Sequence, residues 1–293
     1  VTPTTTATST TTETGLEQHL LAVAVRAAEA GGAELRRRAG RTRLLGHKST
    51  GTDPVTEADL ASEDAVIRVL GAERPDDGLL GEEGTVRAGT SGLRWVVDPL
   101  DGTTNYLYGL PDVAVSVACE RRTGRPDGPG HWLAVAGVVH DPVRGETFTA
   151  VRGEGARLDG APIAVTDPVD LAGALVATGF GYGSASRARQ AATAYRLLPA
   201  VRDIRSNGSA ALTLCWVAAG RYDAYYEDEL ARWDWAAGAL VAREAGARVT
   251  ALGSGVLVAA PALHHDLSRL VAAPPGTVPP PAPAIVDQEA GTR

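Results

Sequence analysis

Methionine is absent from the 293 residues, and only two cysteines and two phenylalanines occur. Cys119 and Cys215 cannot build a disulfide framework, and each sits among small apolar residues, the setting of a buried, inert thiol. No apolar run is long enough to span a bilayer, so no membrane association is expected. An excess of basic charge is missing too. The formal net charge of −7 argues against nucleic acid or an anionic membrane as a partner. Phosphate substrates stay open, because a bound divalent cation inverts the charge of an acidic pocket. The Thr-rich start lacks the basic-then-apolar pattern of a secretory leader, and the cytoplasm is the expected compartment. What remains is ordinary: 44% apolar and 22% charged residues describe a soluble globular chain.

Both ends are low in complexity. Residues 1–14 are Thr-rich and are expected to form a disordered tail; 273–293 are Pro/Ala-rich and show no apolar period. Between them, "LEQHLLAVAVRAAEAGGAELRRRAG" has helical spacing and is expected to stop at its glycines. "VTEADLASEDAVIRVLGAE" reads as a second amphipathic helix. A run of strand-like segments follows, from "RWVVDPL" to "ARLDGAPIAV", with turn signals between them as in a meander. From "GALVATGFG" onward, strands and helices alternate. This order predicts an α+β sub-domain over 15–160 packed tightly on an α/β sub-domain over 161–272.

Acidic residues at element ends carry the chemistry. In "WVVDPLDGTT" an apolar strand ends at Asp98, Pro99 interrupts ladder pairing, and Asp101 can turn toward the same point. Gly102 allows close backbone approach, and Thr103-Thr104 could open a short helix. "LLGEEG" places Glu82 and Glu83 between glycines, where paired carboxylates need a cation or solvent between them. "RWDWAAG" sets Asp234 between two tryptophans at a helix start, as an N-cap or as a partly buried acid that needs a partner. Asp53, Thr56 and Asp59 stand near another helix start, where capping is an equal reading. Four or five oxygen ligands without Cys or His suit a hard cation, Mg²⁺ above all.

Taken in order, "DPVTEAD", "GEEG", "WVVDPLDGTTNYLYGLPDVAVSVA", "SNGSAALTLCWVAAGRYDAYYE" and "WDWAAGALVAREAGARVT" resemble the inositol monophosphatase family over nearly all of 15–272. The resemblance implies a layered α-β-α-β-α sandwich of the inositol monophosphatase and fructose-1,6-bisphosphatase type. It also implies a lithium-sensitive phosphomonoesterase that uses two or three Mg²⁺ ions and is commonly a homodimer. Glu82, Asp98 and the Leu100 carbonyl would then hold one metal, and Asp98, Asp101 and Asp234 a second, with a weaker third ion near Glu82. Gly102 and Thr103 would offer N–H groups to the phosphate. Thr103, linked to Asp53, would orient the attacking water, which makes Glu82, Thr103 and Asp53 the expected catalytic set. Asp101, Asp234, Ser209, Ala210 and Glu227 would contact the substrate.

The most direct substrate on this reading is myo-inositol monophosphate. A sugar phosphate, fructose 1,6-bisphosphate, histidinol phosphate or a 3′-phosphonucleotide would fit the same core, and a non-catalytic regulatory role is the alternative of another class. Two departures bear on the substrate. Asp112 replaces the family's usual aromatic residue after Pro111, and "DELARWDW" carries extra charge before Asp234. "GFGYG" at 179–183 lacks the spacing of a dinucleotide loop. His140 and His264 lack zinc partners and are expected at the surface or in caps.

Overall fold

The computed structural model describes residues 7–48, 51, 53–124, 131–167 and 170–272, so the C-terminal tail lies outside the described residues. Helix α1 (Ala7–Arg38) is followed by strands β1 (Leu44–His47) and β2 (Pro54–Thr56) and by helix α2 (Glu57–Glu73). Next come β3 (Gly78–Gly81), β4 (Val86–Arg87), β5 (Leu93–Asp101) and the short helix α3 (Thr103–Tyr108). Then β6 (Ala114–Thr123), β7 (His131–Asp141), β8 (Glu146–Val151), β9 (Ala156–Leu158) and β10 (Ala161–Ile163) run as antiparallel neighbours. The second half holds β11 (Leu175–Thr178), α4 (Ser184–Leu197), β12 (Asp203–Arg205), α5 (Ala210–Ala218) and β13 (Ala224–Glu227). It ends with α6 (Arg232–Glu244), β14 (Arg248–Leu252), β15 (Gly255–Ala259) and α7 (Pro261–Ala272).

The strands form an eight-stranded sheet, β10-β9-β8-β7-β6-β5-β3-β4, and a five-stranded sheet, β12-β11-β13-β15-β14, beside the β1–β2 hairpin. The period-2 alternation of strand side chains sorts the core into layers. Trp95 and Val97 of β5, with Val115 and Val117 of β6, pack under α1 and α2 against Leu20, Val23, Ala27 and Val66. Val96 and Ala118 point the other way, onto Leu214, Ala237 and Leu240 of α5 and α6. Those helices also meet Tyr225, Val256 and Val258 of the smaller sheet. Its far face packs Val176, Tyr226 and Leu257 on Leu197, Leu263 and Leu267 of α4 and α7. The result is the α-β-α-β-α layering expected.

Helix α1 departs from expectation at two places. It begins at Ala7, inside the Thr-rich stretch, because a nucleated helix adds each further residue for one hydrogen bond. It also runs through Gly31 and Gly32. A Cβ there would lie 2.7 Å from Ser62 Oγ and 2.6 Å from the His140 ring, so these glycines serve close packing and not termination. His140 is consequently buried under α1, with Nδ1 3.0 Å from Thr147 Oγ1 and Nε2 3.3 Å from an Arg36 nitrogen. His264 is buried as well, against Thr250.

The α5–α6 contact has little slack. A Cβ on Gly238 of α6 would stand 2.8 Å from Leu214 Cβ and 3.0 Å from the Ala211 carbonyl oxygen. Gly238→Val is expected to destabilise the protein by about 1–3 kcal/mol through overpacking, read as a lowered urea midpoint. An unshifted midpoint would show that the two helices can move apart freely.

Candidate active site

Strand β5 delivers the first acids. Its ladder with β6 is regular through Asp98–Ser116 and shifts before Asp101–Ala114, the irregularity that Pro99 imposes. Asp98 is buried, and its Oδ1 accepts the Leu100 N–H at 3.0 Å. The Pro99 carbonyl accepts Ser62 Oγ at 2.7 Å, which anchors the bulge to α2. Asp101 then meets the N-terminus of α5. It accepts Ser209 Oγ at 2.6 Å, Ala211 N–H at 2.7 Å and Ala210 N–H at 3.2 Å. Ser209 also caps α5 by accepting the Leu212 N–H. The Ser209 hydroxyl and the Ala210 amide, expected at the substrate, are therefore engaged in holding Asp101.

Gly102 has φ 92°, a left-handed conformation, and a Cβ on it would come 2.7 Å from the Asp112 carbonyl oxygen. Asn105 Nδ2 donates to that same oxygen at 2.7 Å, and the Asp112 carboxylate pairs with Arg144. Asp112 thus braces the turn.

The hydroxyl of Thr103 lies 2.9 Å from Asp59 Oδ1 and 3.1 Å from the Leu100 carbonyl oxygen. The structure links Thr103 to Asp59, where the expected partner was Asp53. Asp53 precedes β2, whereas Asp59 lies in the buried first turn of α2, where its other oxygen accepts both the N–H and the hydroxyl of Thr56. The capping box that made Asp59 look structural is what aims it at Thr103.

Glu82 follows β3, and its N–H donates to the Val97 carbonyl at 3.1 Å, which sets it beside the end of β5. Its Oε1 accepts Lys48 Nζ at 2.8 Å, and Lys48 also reaches Glu83 at 2.5 Å. Glu82 Oε2 is buried with no hydrogen-bond donor. Asp234, the third residue of α6, accepts the Ala231 N–H at 2.7 Å. Glu227 ends β13, buried, and accepts the Tyr225 hydroxyl.

Electrostatics show that these acids converge. Burial, then Glu82, Asp101 and Asp234, push the Asp98 carboxyl well above the usual range. Asp234 is raised likewise by burial, then by Asp101 and Glu82. Burial raises Asp101 to about 6, against the lowering effect of Ser209 and the α5 amides. Glu83 and Glu227 are each raised by burial to about 7. Burial disfavours the Lys48 ammonium, but Glu82 and Glu83 outweigh it and its pKa rises. Among the described residues, no three acids or imidazoles are drawn together as a formed metal cage. The influence of these carboxylates on one another is electrostatic as they stand. An oxygen-only donor set, charged groups that repel one another and an orphaned buried carboxylate oxygen nevertheless fit a hard divalent cation.

Over residues 16–279 the sequence matches the inositol monophosphatase family, and the chain belongs to it. It is accordingly a phosphoric monoester hydrolase. Its relatives include Nus factor SuhB of Pasteurella multocida, 45% identical over 222 residues that cover 73% of this chain and 79% of that one. The inositol-1-monophosphatase of Mycobacterium leprae is also 45% identical, over 73% of this chain and 76% of its own length. In structure, extragenic suppressor protein suhB from Bartonella henselae superposes with a TM-score of 0.79 at 34% identity, covering 87% of this chain and 98% of that one. Inositol monophosphatase from Anabaena gives 0.73 at 31% identity, over 88% and 97%.

An acid whose pKa is higher folded than unfolded binds more protons when folded, so stability falls as pH rises toward the folded pKa. Carboxylates ordinarily titrate near ~4, and Asp101, Glu83 and Glu227 reach about 6 to 7. In a chelating buffer the melting temperature is expected to drop between about pH 5 and pH 8. Asp98→Asn should raise it by about 2–4 °C at the upper end, since it removes one of the repelling charges. A flat profile in differential scanning calorimetry would contradict the acid cluster.

Proposed function

We propose that the protein hydrolyses a small phosphate monoester with the help of two or three Mg²⁺ ions, with myo-inositol monophosphate as its first substrate. The observation that carries this reading is the group of Glu82, Asp98, Asp101 and Asp234, of which Asp98 and Asp101 are buried and in which Glu82 Oε2 has no donor. Glu82, Asp98 and the Leu100 carbonyl would hold one ion, and Asp98, Asp101 and Asp234 a second. When bound, the ions neutralise phosphoryl charge and lower the pKa of the attacking water.

The chain's own groups supply position. The Thr103 hydroxyl donates a hydrogen bond to Asp59, which leaves its lone pairs available to accept from a water. The Gly102–Thr103 backbone can approach a phosphate closely, because Gly102 carries no side chain and adopts the left-handed turn. Ser209 and Ala210 keep Asp101 in one orientation. Glu227, half protonated near neutrality, can donate to or accept from a substrate hydroxyl.

A homodimer and a cytoplasmic location belong to the same reading. Tyr108, the last residue of α3, and Leu110 just after it are 80% and 53% exposed, an apolar surface that a second copy could cover. Relatives bearing the name Nus factor SuhB support a second reading, association with transcription machinery, which could accompany the phosphatase.

Phosphate release over a panel of inositol, sugar, histidinol and nucleotide phosphates tests the proposal. Release should require Mg²⁺, favour inositol monophosphate and fall about 10³-fold in Asp98→Asn. Turnover that survives chelation sinks the metal reading, and a clear preference for another ester replaces the substrate.

A further inference from the structure

A cleft of about 670 Å³ opens at the end of β3 and β5 that lies away from the acids. Gly78 pairs with Arg94 there, whereas Gly81 and Val97 at the other end lead into Glu82 and Asp98. Arg94 precedes Asp98 by four residues, about 13 Å along an extended strand. The cleft is therefore separate from the hydrolytic site.

Its walls are preformed. The loop after β4 lies hard against β3, since a Cβ on Gly89 would stand 2.1 Å from the Gly78 nitrogen. Thr90 N–H donates to the Asp76 carbonyl at 2.8 Å, and Ser91 Oγ donates to Asp77 Oδ1 at 2.7 Å. Asp77 is buried and also accepts Arg74 Nε at 2.8 Å and the Trp95 indole N–H at 3.0 Å.

Arg87, Arg94 and Arg122 line the cleft, and among the described residues no acid does. The contacts of two of these cations leave positive charge in place. Arg87 donates twice to the Asp77 carbonyl, at 3.2 and 3.0 Å, and a neutral oxygen cancels no charge. Arg94 shares the buried Glu120 carboxylate with Arg232, so one anion serves two cations. In a chain of formal net charge −7, the cleft is a local patch of the opposite sign. The rest of its wall is flat or apolar. The Arg94 guanidinium lies 4.2 Å from the centre of the Trp132 ring, and Leu80 and Val86 also line the space.

We propose that this cleft binds a nucleoside diphosphate, with the phosphates on Arg87 and Arg122 and the base against the Arg94–Trp132 pair. Guanidinium forks match phosphate oxygens, and both guanidinium planes and aromatic rings stack with bases. The volume suits a ligand of that size and far exceeds what inorganic phosphate fills.

Binding of ADP to the full chain is measured by isothermal titration calorimetry in a chelating buffer. There the acid cluster repels anions, and metal-supported hydrolysis does not compete. Pyrophosphate and adenosine serve as the two halves of the ligand. Wild type should take up one ADP per chain, at least about tenfold more tightly than either half. Arg87→Ala and Arg122→Ala, both at exposed positions, should each weaken ADP about tenfold. Trp132→Ala should weaken ADP and leave pyrophosphate unchanged. Absence of ADP binding at millimolar concentration, or ADP binding that is the same in wild type and all three variants, would overturn the proposal. Pyrophosphate bound as tightly as ADP would overturn it too, because the base would then contribute nothing.

Discussion

Carboxylates held out of water and within one another's fields destabilise the protein that holds them. Asp98 and Asp234 are raised well above their ordinary range by burial and by their neighbours, and nothing within the cluster neutralises both. The surrounding structure has to fix acids of this site despite that repulsion, and hydrogen-bond donors are placed accordingly. Asp101 is tied to three donors around the start of α5, and Asp59 to both polar groups of Thr56. Each acid comes from the end of an element whose remainder is deeply packed, so repulsion at the tip is opposed by apolar burial along the shaft. Stored strain of this kind is a usual property of sites built for a charged ligand.

The α5–α6 layer transmits this constraint between the two sheets. One face of α5 and α6 packs on β6 and on β5, which carries Asp98 and Asp101, and the other packs on β13 and β15 near Glu227. The N-terminus of α5 itself binds Asp101, while α6 supplies Asp234. A shift of either helix would thus separate acids belonging to different sheets. The close approach at Gly238 explains why a residue remote from the chemistry can bear on it.

Much of this was legible in residue order. The apolar run into Asp-Pro-Leu-Asp-Gly-Thr marked a strand end with two acids, because proline and glycine have backbone consequences that do not depend on tertiary context. The meander and the later alternation were visible for the same reason. What sequence could not resolve was direction. Asp53 and Asp59 flank the same strand, and only the capping box at Thr56 decides which one faces Thr103. Lys48 gave no signal, since a lone lysine near a turn normally points into solvent. Gly31 and Gly32 looked like a stop because their reason lies in Ser62 and His140, far away in the chain.

Asp112 shows how a departure from a family's pattern acquires a physical role. Where an aromatic side chain would add apolar surface, Asp112 instead pairs with Arg144, whose guanidinium lies 5.0 Å from the centre of the Trp216 ring. Arg144 also pairs with Asp141, at the end of β7. The backbone carbonyl of Asp112 accepts Asn105 Nδ2 and closes over Gly102. Charge at this position therefore stays within a local ion-pair network and does not reach the acid cluster as an additional repulsion. The turn that would face the phosphate is braced by backbone and amide groups, which carry no net charge. The ion-pair network of Asp112, Arg144 and Asp141 lies beside the site, while the positions of Asp98 and Asp101 are left to the bulge in β5.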